Sequence, residues 1–140
     1  MASKIFLDSN LLLDLTLKRE SYEEAKQVLD LVISGQFRAF TTSSVIHITG
    51  YYLTKFYNST KAKELLLSIL TDVSLIDIAP ETAIAALSSK FTDIEDALQY
   101  YTAIHHKLDY FISRDKQLQK VSIPSLPVYT PQEFIQEFGK

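Results

Sequence analysis

The sequence predicts a three-layer α/β/α fold around a central, mostly parallel five-stranded sheet, with residues 1–140 folding as one domain. Two observations carry this prediction. Five short apolar runs, each too brief for a helix, alternate with longer segments whose apolar residues recur at helical spacing. The 140 residues are 46% hydrophobic and 22% charged, with three Gly, four Pro and no linker-like tract or repeat, so the chain can bury one sizeable core.

The elements follow in order. Residues 4–7 (KIFL) form the first strand. Residues 8–18 (DSNLLLDLTLK) carry leucines too densely for one face, as a helix packed on a sheet does. Ser21 caps a helix over 21–34 whose stripe is Ala25, Val28, Leu29, Val32 and Ile33, and Gly35 ends it. Residues 38–41 (RAFT) make the second strand, Ser43 or Ser44 caps a helix to about Phe56, and Ser59 starts another to about Leu70. Residues 73–76 (VSLI) are the third strand, and Pro80 suits the first turn of a helix to Ser89. Thr92 or Asp93 opens a helix to about Lys107 with the stripe Ile94, Ala97, Leu98, Tyr101, Ile104 and Leu108. This places His105 on the apolar side and His106 outward. The strand 110–113 (YFIS), a helical turn near Asp115, the strand 127–129 (PVY) and a helix from Pro131 complete the chain.

Composition excludes several function classes. Without cysteine there are no disulfides, zinc-thiolate sites or thiol nucleophiles. The apolar run at the N-terminus is interrupted at once by Asp8 and Asp14. It falls far short of a signal segment or the roughly 20 residues of a membrane span, so a cytoplasmic protein with no membrane contact is expected. A net charge of −3 argues against a broad basic nucleic-acid surface. It leaves room for an enzyme acting on nucleic acid, because cations bound to gathered acids restore local attraction for phosphate.

In a parallel sheet, polar residues just beyond the carboxyl ends of the strands converge on one crevice. Asp8 follows the first strand and Asp115 lies shortly after YFIS, at the same edge. Asp109 precedes that strand. At about 3.3 Å per residue it lies roughly a dozen ångströms or more from Asp115, at the opposite end, and reads as structural. Asp93, Glu95 and Asp96 open the intervening helix; Thr92 with Glu95 makes a capping box, and periodicity alone does not select Asp96 over Asp93.

The segments FLDSNLLLD, DIEDALQ, LDYFISRD and PVYTPQEF, in that order over nearly the whole chain, resemble the PIN domain of metal-dependent ribonucleases, including VapC-type toxins. The resemblance implies a PIN-like fold and an acidic crevice for Mg²⁺ or Mn²⁺, in which Asp8, Asp96 and Asp115 match the family's acids. Asn10 matches the polar companion of the first acid, and Ser113 the hydroxyl before the last. It also implies an RNA substrate, a cognate antitoxin and a homodimer built on the N-terminal helices. The chemistry agrees with this reading: hard divalent ions take carboxylate oxygens, and an ion-activated water attacks phosphorus without a protein nucleophile.

One departure stands out. The family's further acid is a glutamate in the helix after the second strand, and TTSSVIHITGYYLTKFY has no carboxylate; His47 or Thr49 takes its place, depending on alignment. His47 as a ligand would favour Mn²⁺. A three-carboxylate site, or a catalytically weakened PIN-like module that binds protein or RNA, are the alternatives. A phosphatase of the haloacid dehalogenase type needs an aspartate where the chain has Asn10. Lys18, Arg19, Arg114 and Lys116 flank the crevice and read as solvated surface. Tyr51, Tyr52, Phe56 and Tyr57 read as core or interface packing, or as a base-stacking surface.

Overall fold

The computed structural model describes residues 2–139. The elements are β1 (Ser3–Leu7), α1 (Ser9–Thr16), α2 (Tyr22–Ile33), β2 (Phe37–Thr42), α3 (Ser43–Phe56), α4 (Ser59–Ile69) and β3 (Val73–Ile76), then α5 (Pro80–Leu87), α6 (Ile94–His105), β4 (Tyr110–Ile112), α7 (Lys116–Val121), β5 (Val128–Tyr129) and α8 (Pro131–Phe138). The strands form one sheet in the order β3-β2-β1-β4-β5, and every pairing is parallel. Ile5, Phe6 and Leu7 are consecutive and all fully buried, so both faces of β1 are covered, as a parallel sheet between helical layers requires. This is the three-layer α/β/α architecture that the alternating runs predicted.

From β1 the chain builds outward through β2 and β3, then crosses back to add β4 and β5 on the other side. The switch point lies between β1 and β4, where the carboxyl ends of neighbouring strands diverge into a crevice. Their register pairs Ile5 with Tyr110, Phe6 with Phe111 and Leu7 with Ile112. The Phe6 and Phe111 rings stack with centroids 4.7 Å apart and planes 9° from parallel. Truncating either buried ring to alanine costs about 3–5 kcal/mol. At the far end of the pair, the Lys4 amide donates to Asp109 at 2.8 Å, the structural role expected for that acid.

Helix boundaries fall within a residue or two of the sequence reading, but several caps differ. Thr42, not Ser43 or Ser44, caps α3 by accepting from the Val45 amide, and Asn58 rather than Ser59 caps α4. Asp93 caps α6 by accepting from the Asp96 amide, which leaves Glu95 outside any capping box with Thr92. Ser21 precedes α2 without a side-chain cap. In each case the backbone conformation of the flanking residue selects the cap, and polar composition does not encode it. The one capping box closes at α8, between Thr130 and Glu133.

The buried face of α6 is also rotated from the expected stripe. Ala97, Gln99, Tyr100, Thr102 and Ala103 are buried, whereas Ile94 is 64% exposed and His105 faces solvent. His106, expected outward, is half-buried and its Nε2 pairs with the Asp77 carbonyl. An apolar stripe overlooks buried polar groups that find partners: Thr42 donates to Gln99 at 2.6 Å, and the Tyr100 hydroxyl donates to the Leu126 carbonyl at 2.6 Å.

Gly35 ends α2 as expected, at φ 86°, with its own amide bonded to the Val32 carbonyl and that of Gln36 to the Leu31 carbonyl. The same closure ends α6, but Lys107 occupies the left-handed position at φ 58°. Glycine there relieves the steric cost of a Cβ. Lys107→Gly is therefore expected to stabilise the fold by up to about 1 kcal/mol, read as a rise of a few degrees in Tm; an unchanged or lower Tm contradicts the strain.

Candidate functional site

Three acids stand at the carboxyl edge of the sheet because each starts a helix there. Asp8 accepts from the Leu11 amide at 3.1 Å, Asp93 from the Asp96 amide at 2.8 Å, and Asp115 from the Gln117 amide at 2.9 Å. The partial positive charge at the starts of α1 and α6 lowers the cost of gathering anions here. Each cap uses Oδ1, so the second oxygen of each carboxyl is free of the cap.

Ser113, buried at the end of β4, ties two of these acids together. Its hydroxyl oxygen accepts from the Asp115 amide at 3.1 Å and the hydroxyl bonds to Asp8. Burial pushes the Asp8 carboxyl up to about 6, against the opposing pull of the Leu11 amide, Ser113 and the Arg114 charge. Asp96 is pushed further, to about 8, by partial burial first and then by its hydrogen bond to Asp115 and the charges of Asp93, Asp115 and Asp8. Asp96 is thus harder to ionise than an ordinary carboxyl. Two carboxyls in contact cannot both ionise cheaply.

The acids open into a cleft of about 470 Å³ lined by Ser9, Asn10, Arg19, Asp93, Glu95, Asp96 and Asp115, with Leu13, Leu17, Ile48 and Tyr52 as its apolar wall. A second hollow of about 330 Å³ shares Asp93, Asp96 and Asp115 and continues past Lys90 and Gln117. Asp8, Asn10, Asp93, Asp96, Asp115 and Ser113 therefore belong to one neighbourhood. His47 and Thr49 do not line this cleft. Thr49 is fully buried and donates to the Val45 carbonyl of its own helix, while His47 is exposed and lines a separate groove against α4. From α3 the cleft receives Ile48 and Tyr52.

The further acid in the cleft is Glu95, which accepts from the Ser9 hydroxyl at 3.4 Å and whose carboxyl is raised by partial burial and by Asp93. Sequence reasoning spent Glu95 on a cap; its position beside Asp96 was the available signal. The arginines also depart from expectation. Arg19 and Arg114 both bond the buried carboxylate of Asp14, at 3.0 and 3.1 Å. Tyr51, Tyr52 and Phe56 are at least half exposed, so they do not pack the core.

Among the described residues, no three Asp, Glu or His side chains form a ready cage for an ion. The donor chemistry nevertheless fits a hard divalent cation, because the acidic side chains lining the cleft are all carboxylates. Among the described residues, no helix is long and apolar enough to cross a membrane.

The fold is a parallel α/β sheet with an acidic crevice at its topological switch point. A PIN domain family model matches residues 4–117, and the chain belongs to the PIN domain family. It is similar to Ribonuclease VapC1 of Aquifex aeolicus, 27% identical over 147 residues that span 99% of this chain and 97% of that protein. Among solved structures it is similar to a toxin-antitoxin complex from Klebsiella pneumoniae, with a TM-score of 0.68, 23% identity, and 91% of this chain and 97% of that one covered. VapC20 of Mycobacterium tuberculosis, described as a Sarcin-Ricin loop cleaving toxin, aligns with a TM-score of 0.69 at 14% identity over 86% of this chain and 97% of its own.

The raised carboxyls give a signed pH dependence. A folded-state value above the unfolded one stabilises the fold at low pH, and that stability is lost as pH rises through the folded value. With chelator present, Tm is expected to fall as pH rises from about 4 to about 8, and Asp96→Asn should flatten the upper half of that fall. Melting curves across this range check it; a Tm that climbs with pH is the contrary result.

Proposed function

We propose that this chain is a divalent-metal-dependent endoribonuclease that hydrolyses RNA phosphodiester bonds, the toxin of a type II toxin-antitoxin pair working in the cytoplasm. The observation that carries the reading is the gathering of Asp93, Glu95, Asp96 and Asp115 in one cleft at the switch point of the sheet, with Ser113 beside Asp8 accepting from the Asp115 amide. Likeness to a VapC ribonuclease across both chains and to toxin-antitoxin structures supports the same function, with an antitoxin as partner; a homodimer built on the N-terminal helices completes the reading.

Asp8, Asp96 and Asp115 would hold Mg²⁺ or Mn²⁺, with Glu95 and Asp93 adding negative charge from the start of α6. Such an ion, when bound, supplies a nucleophilic water at neutral pH and polarises a phosphoryl oxygen. The protein's own groups do the rest. Ser113 fixes the distance between Asp8 and Asp115, and an oxygen of Asp8 or Asp96 orients the attacking water. Asn10 lies on the cleft wall as a polar contact for substrate, and Tyr52 offers an exposed ring to a base. His47, on the opposite side of α3, has no part in this scheme, and Mn²⁺ is not favoured through it.

The alternative, a weakened module that only binds RNA or protein, draws on the missing carboxylate in α3; Glu95 in the cleft argues against it. Purified protein with Mn²⁺ should cut mixed single-stranded and structured RNA, and Asp8→Asn or Asp115→Asn should each lower the rate by about a hundredfold or more. Cleavage that persists in both variants assigns the activity to a contaminant. Calorimetric Mn²⁺ titration should release close to one proton per ion at pH 7 and weaken about 10–100-fold on Asp96→Asn. Unchanged affinity removes Asp96 from the site.

A further inference from the structure

Asp14 lies in the leucine-rich α1 with its side chain 1% exposed, and two arginines from distant parts of the chain meet on it. Arg19 Nε and Arg114 Nη2 both donate to Oδ1, while Oδ2 is buried without a partner among the described residues. An arginine that merely neutralises a carboxylate engages both oxygens with its planar fork. Here the two guanidiniums crowd one oxygen and leave the other bare, so most of their donors point elsewhere.

Each arginine lines a hollow beside Asp14. Arg19 is the one basic side chain lining the acidic cleft; its Nη2 donates to the carbonyl and side-chain oxygen of Asn10, and its Nη1 has no partner among the described residues. Arg114 immediately precedes Asp115 and lines a separate groove of about 560 Å³ together with Lys116, Glu24 and Glu133. Their side chains are 37% and 42% exposed, and two cations on one anion leave the unit positive. The turn that closes α1 places Arg19 beside Asp14. Lys18 sits at φ 52°, a left-handed conformation that costs about 1–2 kcal/mol without glycine, and the turn it makes bonds the Arg19 amide back to the Asp14 carbonyl at 3.1 Å.

We propose that Arg19 and Arg114, joined on the buried carboxylate of Asp14, grip the phosphate backbone of single-stranded RNA where it enters the acidic cleft, with Asp14 as their positioning residue. This rests on the ribonuclease reading of the cleft and adds the element that holds its substrate. A chain of net charge −3 has no broad basic surface, and a cleft of carboxylates repels a polyanion. Local guanidiniums, whose fork matches two phosphate oxygens, supply the attraction at the point of use. Anchoring on a buried anion fixes their direction before RNA arrives, so less side-chain freedom is lost on binding.

The test measures binding of a fluorescein-labelled single-stranded RNA by anisotropy, with Mn²⁺ constant and KCl varied, in the Asp8→Asn background. Arg19→Gln and Arg114→Gln are each expected to reduce the slope of log affinity against log salt by about 0.7, one single-strand phosphate contact. Arg19→Lys should retain the slope. Arg38→Gln, whose side chain lies over Phe40 in β2, should leave it unchanged. In the cleaving protein, Asp14→Asn should raise KM with kcat nearly intact, whereas loss of folded enzyme alone lowers kcat at unchanged KM. Unchanged slopes in Arg19→Gln and Arg114→Gln proteins that melt normally overturn the grip, even with RNA cleavage intact. Reduced slopes in a protein whose wild type cuts no RNA uphold the grip and refute the ribonuclease reading instead. A fall in kcat alone on Asp14→Asn removes Asp14 from the positioning role.

Discussion

The parallel pairing of β1 with β4 is the constraint on which the rest depends. Its register sets Leu7 beside Ile112, so the next residues, Asp8 and Ser113, emerge together at the carboxyl edge and the hydroxyl of one can bond the carboxyl of the other. The stacked rings of Phe6 and Phe111 fix that register from within the core, and Asp109 pins the opposite end on the Lys4 amide. A slip of one residue would turn every side chain of the pair to the other face and separate the acids.

Around that edge the structure assembles more negative charge than it can hold ionised. Helix-start amides donate to one oxygen each of Asp8, Asp93 and Asp115, and partial burial with the neighbouring acids raises Asp96. Beside it the Asp14 unit reverses the arrangement, with one buried anion and two arginines, of which Arg19 lines the acidic cleft.

The strand order of events along the chain was legible because apolar runs of strand length alternate with helical periods, and the acids after β1 and β4 follow from the geometry of any parallel sheet. Helix caps were less legible. Thr42 and Asn58 displaced neighbouring serines, and Asp93 was chosen over Thr92, because the cap is chosen by backbone dihedrals set in the tertiary fold. Glu95 was hidden by an equally good local explanation, and Asp14 by its helix, where one aspartate among leucines looks like a solvent position. His47 and Thr49 were drawn toward the site by alignment alone; a rotation of α3 of about 100° per residue puts Ile48 in the cleft and the other two elsewhere.

By itself the sequence determined the fold class, the edge on which Asp8 and Asp115 stand and, through family resemblance, the choice of Asp96, because strand and helix periods are local and a parallel sheet has only one carboxyl edge. The tertiary structure decided which acids meet in the cleft, that Glu95 rather than an acid of α3 lines it, and that Asp14 holds two arginines. Those outcomes depend on contacts such as Arg114 with Asp14, between residues 100 positions apart, where packing rather than local preference sets the partner.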